Sequence, residues 1–440
     1  MRKTKIFTFA LLCAFCAFSC KGEPPVPAEI RQARAAEAAG KYGEARKILE
    51  AAEAAHLDTA AFSYALALLS YTYFDDFYKG EIKTIIINDP GYKIFGHAIK
   101  MNDAEGRDLG FMLRDLSPVI EILDRAIGRD PKYADPWLQK AICLAEMDQM
   151  PRALEILSNA QKYLPSEARV PFLAGNMYAH QENHEQAARA FAEARKKNSR
   201  DSGAALYHGI SLLALDRAEE AEEALGRAAD LAKGVNANDA DRAVYEMFSW
   251  YFGQEEYQKA YAWGKKHLDL VKKRDKLYRT LGIAAYLSDH YAEAGKWLGE
   301  AIAQGAENAL SLALYAQIHV SEGKFAEAEA LFKRSLKHEE TVQVLAQLGS
   351  LYLEKLNSPA QAIIMLERVI ELQPIHYLAR YQLALAYQAA GRDAKTEMDA
   401  WIAYLAVIKL ITLEELGAQE KEYVETARAR IRELDAVIDP

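Results

Sequence analysis

The chain has few cysteines and little basic charge, and both scarcities exclude classes of protein. Four cysteines occur in 440 residues, and three of them (Cys13, Cys16 and Cys20) fall within the first twenty. Cys143 is the only cysteine beyond them, so the rest of the chain can form no internal disulfide. The formal net charge is -9. With that balance and no basic stripe, we expect no nucleic-acid binding.

Short motifs for catalysis or cofactor binding are also missing. The sequence has neither a glycine-rich loop followed by Lys-Ser or Lys-Thr nor a His-Glu-x-x-His pattern. His180 and His184 have the spacing of two metal ligands on one helix, but they fall at a turn between two predicted helices. We therefore expect no enzymatic activity, no cofactor and no metal.

The first twenty residues contain a short apolar run behind a basic start. Arg2, Lys3 and Lys5 precede the run, which extends over residues 6–18. It is too short to span a bilayer, which takes about 20 apolar residues. A basic start followed by a short apolar run is typical of a secretory signal peptide.

The run ends at Cys20, after Ala17, Phe18 and Ser19. This ending resembles the looser lipoprotein signals of spirochaetes and Bacteroides-type bacteria. The resemblance implies that residues 1–19 are removed as a signal peptide and that Cys20 is lipidated, with palmitate as one acyl group. Residues 20–27, with three prolines, would form a semi-rigid tether. An ordinary secretory signal with an incidental cysteine is the alternative.

A unit of thirty-four residues recurs along most of the chain. Small or large apolar residues return at this spacing in three series: Ala153, Ala187 and Ala221; Leu157, Phe191 and Leu225; Ala160, Ala194 and Ala228. Self-similarity of this length is typical of a solenoid built from helical hairpins.

Within each unit, small residues recur at the eighth position, as at Gly175 and Gly209. Large apolar residues recur at the twenty-fourth, as at Phe191. This pattern resembles the tetratricopeptide repeat. The resemblance implies an all-α fold, a right-handed α-solenoid of about ten such hairpins, with a C-terminal capping helix and a small β-prone insertion.

The repeat register divides the chain into four parts after the tether. Residues 28–78 carry N-terminal repeat helices, 79–116 form an insertion that splits one hairpin, and 117–411 continue the repeat array. Residues 412–438 are predicted to form one capping helix, which starts at the capping-box pattern of Thr412 to Glu415.

The insertion is the least repeat-like part of the sequence. Residues 81–87 and 92–95 are strand-prone, and the turn-forming residues 88–91 join them, so we predict a β-hairpin. The helix before it is expected to run from Thr59 to about Tyr78 and is rich in aromatic residues. Those aromatics either bury the insertion, or the insertion reaches into the groove or contacts a partner.

In the tetratricopeptide family, the first helix of each hairpin lines a concave groove at its second, fifth, ninth and twelfth positions. The resemblance assigns groove positions to Phe172, Asn176, Arg242, Tyr245, Ser249, Phe252, Lys276, Arg279, Ile283, Tyr286, Gln317, Tyr381 and Gln388. This mixture of rings, amides and cations suits an extended peptide or a helix. Alternatively, several of these side chains only pack against one another.

Together these patterns predict a membrane-tethered lipoprotein that acts as a scaffold for protein–protein interaction. It would face the periplasm, in the cell envelope of a bacterium, within an assembly or transport complex. Other envelope proteins would be its partners, and the lipid on Cys20 would hold it to the membrane. The alternative is a solute- or lipid-binding component of an uptake system, so a small-molecule ligand stays possible.

Overall fold

The structure is a computed structural model that describes residues 26–56, 59–74, 98–102, 108–409 and 417–438. The predicted signal peptide, Cys20 and the predicted strands at 81–87 and 92–95 lie outside the described residues. Compact packing divides the chain into an N-terminal unit, Met1–Ala224, and a C-terminal unit, Leu225–Pro440.

The described residues of the N-terminal unit form helices and one strand pair. Its elements are α1 (Ala28–Ala38), α2 (Tyr42–Ala55), α3 (Ala60–Thr72), β1 (Ala98–Asn102), β2 (Asp108–Leu113), α4 (Ser117–Arg129), α5 (Ala134–Glu146), α6 (Met150–Tyr163), α7 (Arg169–His180), α8 (His184–Lys197) and α9 (Ser202–Ala214). Helix α10 (Ala218–Ala232) contains the boundary between the units.

All the secondary-structure elements described in the C-terminal unit are helices. Its elements are α11 (Ala237–Gly253), α12 (Tyr257–His267), a 3-10 turn (Leu268–Leu270), α13 (Arg274–Leu287), α14 (Tyr291–Ala303), α15 (Ala309–Ser321), α16 (Phe325–His338), α17 (Val342–Glu354), α18 (Pro359–Leu372), α19 (Tyr377–Ala389), α20 (Ala394–Ile408) and α21 (Ala418–Ile438).

Consecutive helices pack in pairs, as helical hairpins do. The pairs are α1 with α2, α3 with α4, α5 with α6 and α7 with α8 in the N-terminal unit, and α11 with α12, α13 with α14, α15 with α16, α17 with α18 and α19 with α20 in the C-terminal unit. Each hairpin also contacts the next one within its unit, so every unit has a continuous core rather than isolated pairs.

Small residues on the first helix allow the two helices of a hairpin to approach closely. An added Cβ at Gly175 would lie 2.7 Å from the ring of Phe191, and one at Gly282 would lie 2.6 Å from Leu298 Cγ. Phe191 and Leu298 are themselves fully buried. The large side chain at the twenty-fourth position therefore packs against the small residue at the eighth position of the same repeat, in agreement with the sequence pattern.

Where the structure describes the turn inside a hairpin, that turn contains one residue in the left-handed backbone region. Asp148, Glu182 and Asp216 have φ near +60° and are spaced by one repeat, and Asp289 and Asn357 have positive φ at the corresponding turns. Most residues adopt this conformation only at a cost, so its recurrence indicates that the repeat geometry imposes it.

A buried charge cluster joins the first two hairpins. Glu53 on α2 accepts hydrogen bonds from Ser63 on α3 (2.6 Å) and from Arg125 and Arg129 on α4 (3.1 Å each). Burial alone would raise the pKa of Glu53, but the hydrogen bonds from Arg125 and Ser63, with the nearby positive charge, lower it overall. The cluster ties α3 to α4 although residues 73–116 separate them.

The aromatic side chains of α3 pack into the repeat core. Phe62 is buried, and the buried hydroxyl of Tyr71 donates to Glu146 Oε1 of α5 at 2.6 Å. Cys143 lies in the same core, and burial raises the pKa of its thiol. Neighbouring repeats therefore already bury these residues of α3.

The described strands differ from those expected in the insertion. β1 and β2 pair antiparallel, with Ala98 opposite Leu113 and Lys100 opposite Phe111, and an irregularity follows Met101. The sequence analysis placed no strand in either segment. The strands predicted at 81–87 and 92–95 remain untested.

Two helix boundaries also differ from expectation. Helix α3 ends at Thr72, short of the expected end near Tyr78. The capping helix was predicted to start at Thr412, which lies outside the described residues; within the described part, α21 begins at Ala418. Gly417 lies just before it outside the helix, and glycine disfavours a helical interior by about 1 kcal/mol.

Gly282→Ala should destabilise the C-terminal unit by about 1–3 kcal/mol. The new methyl would meet not only the side chain of Leu298 but also its backbone nitrogen, at 3.0 Å, which a rotamer change cannot move. Urea unfolding monitored by circular dichroism measures the loss.

Gly43→Ala is the matched control, because nothing lies within 4 Å of an added Cβ there. It should be neutral or slightly stabilising, since alanine favours a helix over glycine. Equal unfolding midpoints for the two variants would contradict the packing described for the eighth position.

His208 on α9 makes the N-terminal unit sensitive to pH. Arg195 donates to its Nδ1 at 2.6 Å, which requires a neutral imidazole. Burial and the charge of Arg195 lower the pKa of His208 to about 4, with Arg217 adding to the shift and Glu220 opposing it. Below the usual histidine pKa the unfolded chain therefore binds a proton that the folded chain does not.

The free energy of unfolding should consequently fall as pH drops from about 6.5 towards 4. His208→Gln should make the fall between pH 7 and 5 smaller by about 1 kcal/mol. Glutamine keeps an acceptor for Arg195 but does not titrate. Thermal melts at both pH values test this, with the exposed His338→Gln as control. A parent-like pH dependence in His208→Gln would disprove the assignment.

Candidate partner-binding surface

In the N-terminal unit, the expected groove residue Phe172 takes part in packing. Its ring contacts Phe191 and Tyr207 edge-to-face, with centroids 5.6 and 5.9 Å away. Asn176, one turn further along α7, is half-buried. Phe172 therefore belongs to an aromatic cluster between successive repeats, and the self-packing alternative holds for this side chain.

On α11, the expected groove residues make short-range contacts. Arg242 is exposed and pairs with Glu246 at 3.1 Å, while Phe252 packs on Phe248 and Tyr257. Tyr245 is half-buried and its hydroxyl donates to the backbone carbonyl of Lys273 at 3.1 Å. Tyr245 thus joins α11 to the beginning of the next repeat.

On α13 and α15, two expected groove residues meet directly. The hydroxyl of Tyr286 donates to the side-chain carbonyl of Gln317. Burial, with the charge of Asp289, raises the pKa of Tyr286, so it stays a donor at neutral pH. Arg279 approaches the carbonyl of Ala306 at 3.5 Å. The contact between Tyr286 and Gln317 places the same face of successive first helices side by side.

On α19, Tyr381 lies within an aromatic cluster at the C-terminal end of the chain. Its ring stacks on Tyr423 of α21, with centroids 4.1 Å apart, and contacts Trp401 and Tyr404 of α20 edge-to-face. Arg430 of α21 also pairs with the buried carboxylate of Glu397 at 2.7 Å. Helix α21 is therefore held against the last hairpin by stacking and by an ion pair.

A cleft of about 610 Å³ lies between α17, α19 and α21. Its walls are formed by Leu353, Glu354, Leu378, Tyr381, Gln382, Leu385, Gln388, Ala389 and Tyr423. The volume is in the range of known ligand pockets, and the mainly apolar wall with a few polar groups is typical of them. Of all the expected groove residues, Tyr381 and Gln388 contribute to this cleft.

The polar groups of the cleft include two acceptors, the carbonyl of Gln382 and the carboxylate of Glu354, beside the amide of Gln388 and two tyrosine hydroxyls. Gln382 is buried, and its amide nitrogen donates to Ser350 at 2.6 Å, which leaves its carbonyl oxygen as the acceptor. Glu354 is an exposed carboxylate on the rim. None of the described lining residues is basic. A matching ligand would combine apolar groups with hydrogen-bond donors or a positive charge.

The expected groove residues omitted several that line the cleft. Leu378 and Leu385 hold the second and ninth positions of the repeat that begins at Tyr377, and Leu353 holds the twelfth position of the preceding one. The same positional rule could have found all three. Tyr423 could not be found that way, because it lies on the capping helix and not on a repeat helix.

The side chains of the described residues are suited to binding a partner. They contain no cluster of three or more potential metal ligands. None of the described helices has the length and apolar character needed to cross a membrane. The cleft and the rows of rings and amides can hold an apolar or amphipathic segment.

Among solved structures, this chain is similar to helical-repeat proteins. A tetratricopeptide repeat protein from Parabacteroides merdae shares 15% identity, covering 57% of this chain and 98% of its own, with a TM-score of 0.33. PilF from Pseudomonas aeruginosa shares 18% identity, covering 53% of this chain and 97% of its own, also with a TM-score of 0.33. These scores are too low to carry an argument about function.

No curated protein matches this chain significantly. Family models do match it: two models, both described as tetratricopeptide repeat, align with residues 30–72 and 172–240 and with residues 342–376. These segments lie in the units that the structure resolves into helical hairpins. Tetratricopeptide repeats, which typically bind other proteins, are therefore present in both units of this chain.

Proposed function

We propose that this chain is a lipid-tethered scaffold that binds a peptide or helix of another cell-envelope protein. The cleft between α17, α19 and α21 is the single observation that carries the binding part of the proposal. Its apolar wall and acceptor groups suit an amphipathic segment, with apolar side chains against Leu378 and Leu385 and a basic one at Glu354. The partners would belong to an assembly or transport complex.

The tether is proposed from the sequence alone. A basic start, a short apolar run and Cys20 support lipidation of that cysteine and a place in a bacterial envelope, facing the periplasm. Stable anchoring takes about two acyl signals, which a lipoprotein modification supplies. The proposed function is binding, and it does not include catalysis.

A solute- or lipid-binding role is the second candidate, and the volume of the cleft favours it to some extent. About 610 Å³ could hold a small molecule. A pocket walled by the insertion would favour that role further, whereas the residues that line the described cleft come from α17, α19 and α21. We therefore place the peptide or helix first.

Cys20→Ser should move the protein from the membrane fraction to the soluble fraction, because lipidation requires the thiol. Fractionation after high-salt and carbonate washing, followed by immunoblotting, measures this. Cys143→Ser serves as the control, since that buried cysteine lies in the repeat core and should not affect membrane retention. Continued membrane retention of Cys20→Ser would refute the tether.

Ala389→Arg should weaken partner binding about tenfold, since a long cation in the cleft would occupy Glu354 and the apolar wall. The partner is first identified by pull-down from detergent-solubilised native membranes, and the dissociation constant of the purified pair is then measured by calorimetry.

Ala390→Arg is the matched control, because Ala390 is exposed next to the cleft but does not line it. It should bind as the parent does. Equal affinities for the two variants would remove the cleft from the binding site. Recovery of a bound small molecule in place of a protein would support the solute-binding role.

A further inference from the structure

Residues 265–279 carry a charge opposite to that of the chain as a whole. Seven lysines and arginines occur there against two aspartates, whereas the whole chain has a net charge of -9. The segment covers the end of α12, the 3-10 turn and the beginning of α13. The basic residues are therefore concentrated at one turn of the C-terminal unit.

Four of these cations, Lys272, Lys273, Lys276 and Arg279, form what we call the basic patch. The three lysines are exposed and Arg279 is half-buried. Within the described part of the chain, none of the four has a side-chain nitrogen within 4.0 Å of a carboxylate oxygen. Their repulsion is therefore not compensated by ion pairs.

Two of the three carboxylates near this turn, those of Asp241 and Asp269, are already engaged. Asp241 accepts the backbone N–H of Lys272 at 2.7 Å and that of Lys273 at 3.4 Å. Asp269 pairs with Arg274 at 3.6 Å. Asp241 therefore holds the backbone of the turn in place while both lysine side chains extend from it unpaired.

The basic patch adjoins a row of groove positions. Lys276 and Arg279 hold the second and fifth positions of their repeat, and Tyr286 holds the twelfth. The hydroxyl of Tyr245 donates to the carbonyl of Lys273. Burial and the charges of Asp241 and Asp275 raise the pKa of this hydroxyl, and the charge of Arg279 opposes that rise. A ligand bound at the patch would thus have aromatic rings beside its charged groups.

We propose that the basic patch binds an acidic segment of a protein partner, one that presents several Asp or Glu carboxylates to these four cations. Charge complementarity is the basis, since carboxylates would neutralise cations that form no ion pair with the residues that the structure describes. The patch is separate from the cleft at α17, α19 and α21, so this proposal goes beyond the proposed function and can fail independently of it.

Two other anionic surfaces fit less well. A membrane-binding turn usually inserts apolar side chains, but Leu268 and Leu270 are half-buried and Val271 is buried. A nucleic acid would bring many more phosphates than four cations can neutralise, and the net charge of -9 would repel it.

The full chain should bind a short fluorescein-labelled peptide of Glu, Ala and Leu, and should not bind the same peptide with Gln in place of Glu. Binding measured by anisotropy should weaken as NaCl is raised. The charge reversal Lys272→Glu/Lys273→Glu/Lys276→Glu should lower the affinity about tenfold or more. Circular dichroism checks that the charge-reversal variant is folded. If it is not, the corresponding Lys→Gln triple variant is used in its place.

The control Lys233→Glu/Lys337→Glu/Lys395→Glu makes the same charge change at three exposed lysines elsewhere in the C-terminal unit. It should keep at least most of the affinity. Equal losses in both triple variants, or no binding by the parent, would overturn the proposal. So would binding to phosphatidylglycerol vesicles without binding to the Glu peptide, which would assign the patch to a membrane.

Discussion

In the hairpins where the eighth position is glycine, a large side chain of the second helix lies against that glycine on the first. The contact of Phe191 with Gly175 and that of Leu298 with Gly282 are the examples with the least room. Because this contact fixes which side of the first helix is buried, it also fixes which side remains for a partner. The rows at the second, fifth, ninth and twelfth positions follow from that requirement.

The same scaffold presents different chemistry at different repeats of the C-terminal unit. Around α19 it offers apolar side chains, the carbonyl of Gln382 and the carboxylate of Glu354. Around the start of α13 it offers cations that form no ion pair among the described residues. Neither surface requires a change at the eighth or twenty-fourth position of a repeat, since none of the residues that form the two surfaces holds either position. Repeat proteins can therefore vary what they bind while keeping one packing rule.

The sequence predicted the hairpins well because the close packing recurs in every repeat and leaves a periodic signal. It predicted less of the binding surface. Phe172 was expected in a groove but packs on Phe191 and Tyr207, a distinction that depends on neighbouring repeats. Tyr423 belongs to the capping helix, whose position no repeat rule supplies. The net charge of -9 is a sum over the whole chain, so it gave no indication of the local excess of cations in the basic patch.

The left-handed residue in each hairpin turn has a consequence for the evolution of such a chain. Glycine occupies this position at Gly323 and Gly391, but Glu182 and Glu255 adopt the same conformation at a steric cost. Replacing those glutamates with glycine would relieve strain at positions that belong to neither binding surface. The chain thus holds a reserve of stability that selection could draw on when a new partner demands destabilising changes in the groove.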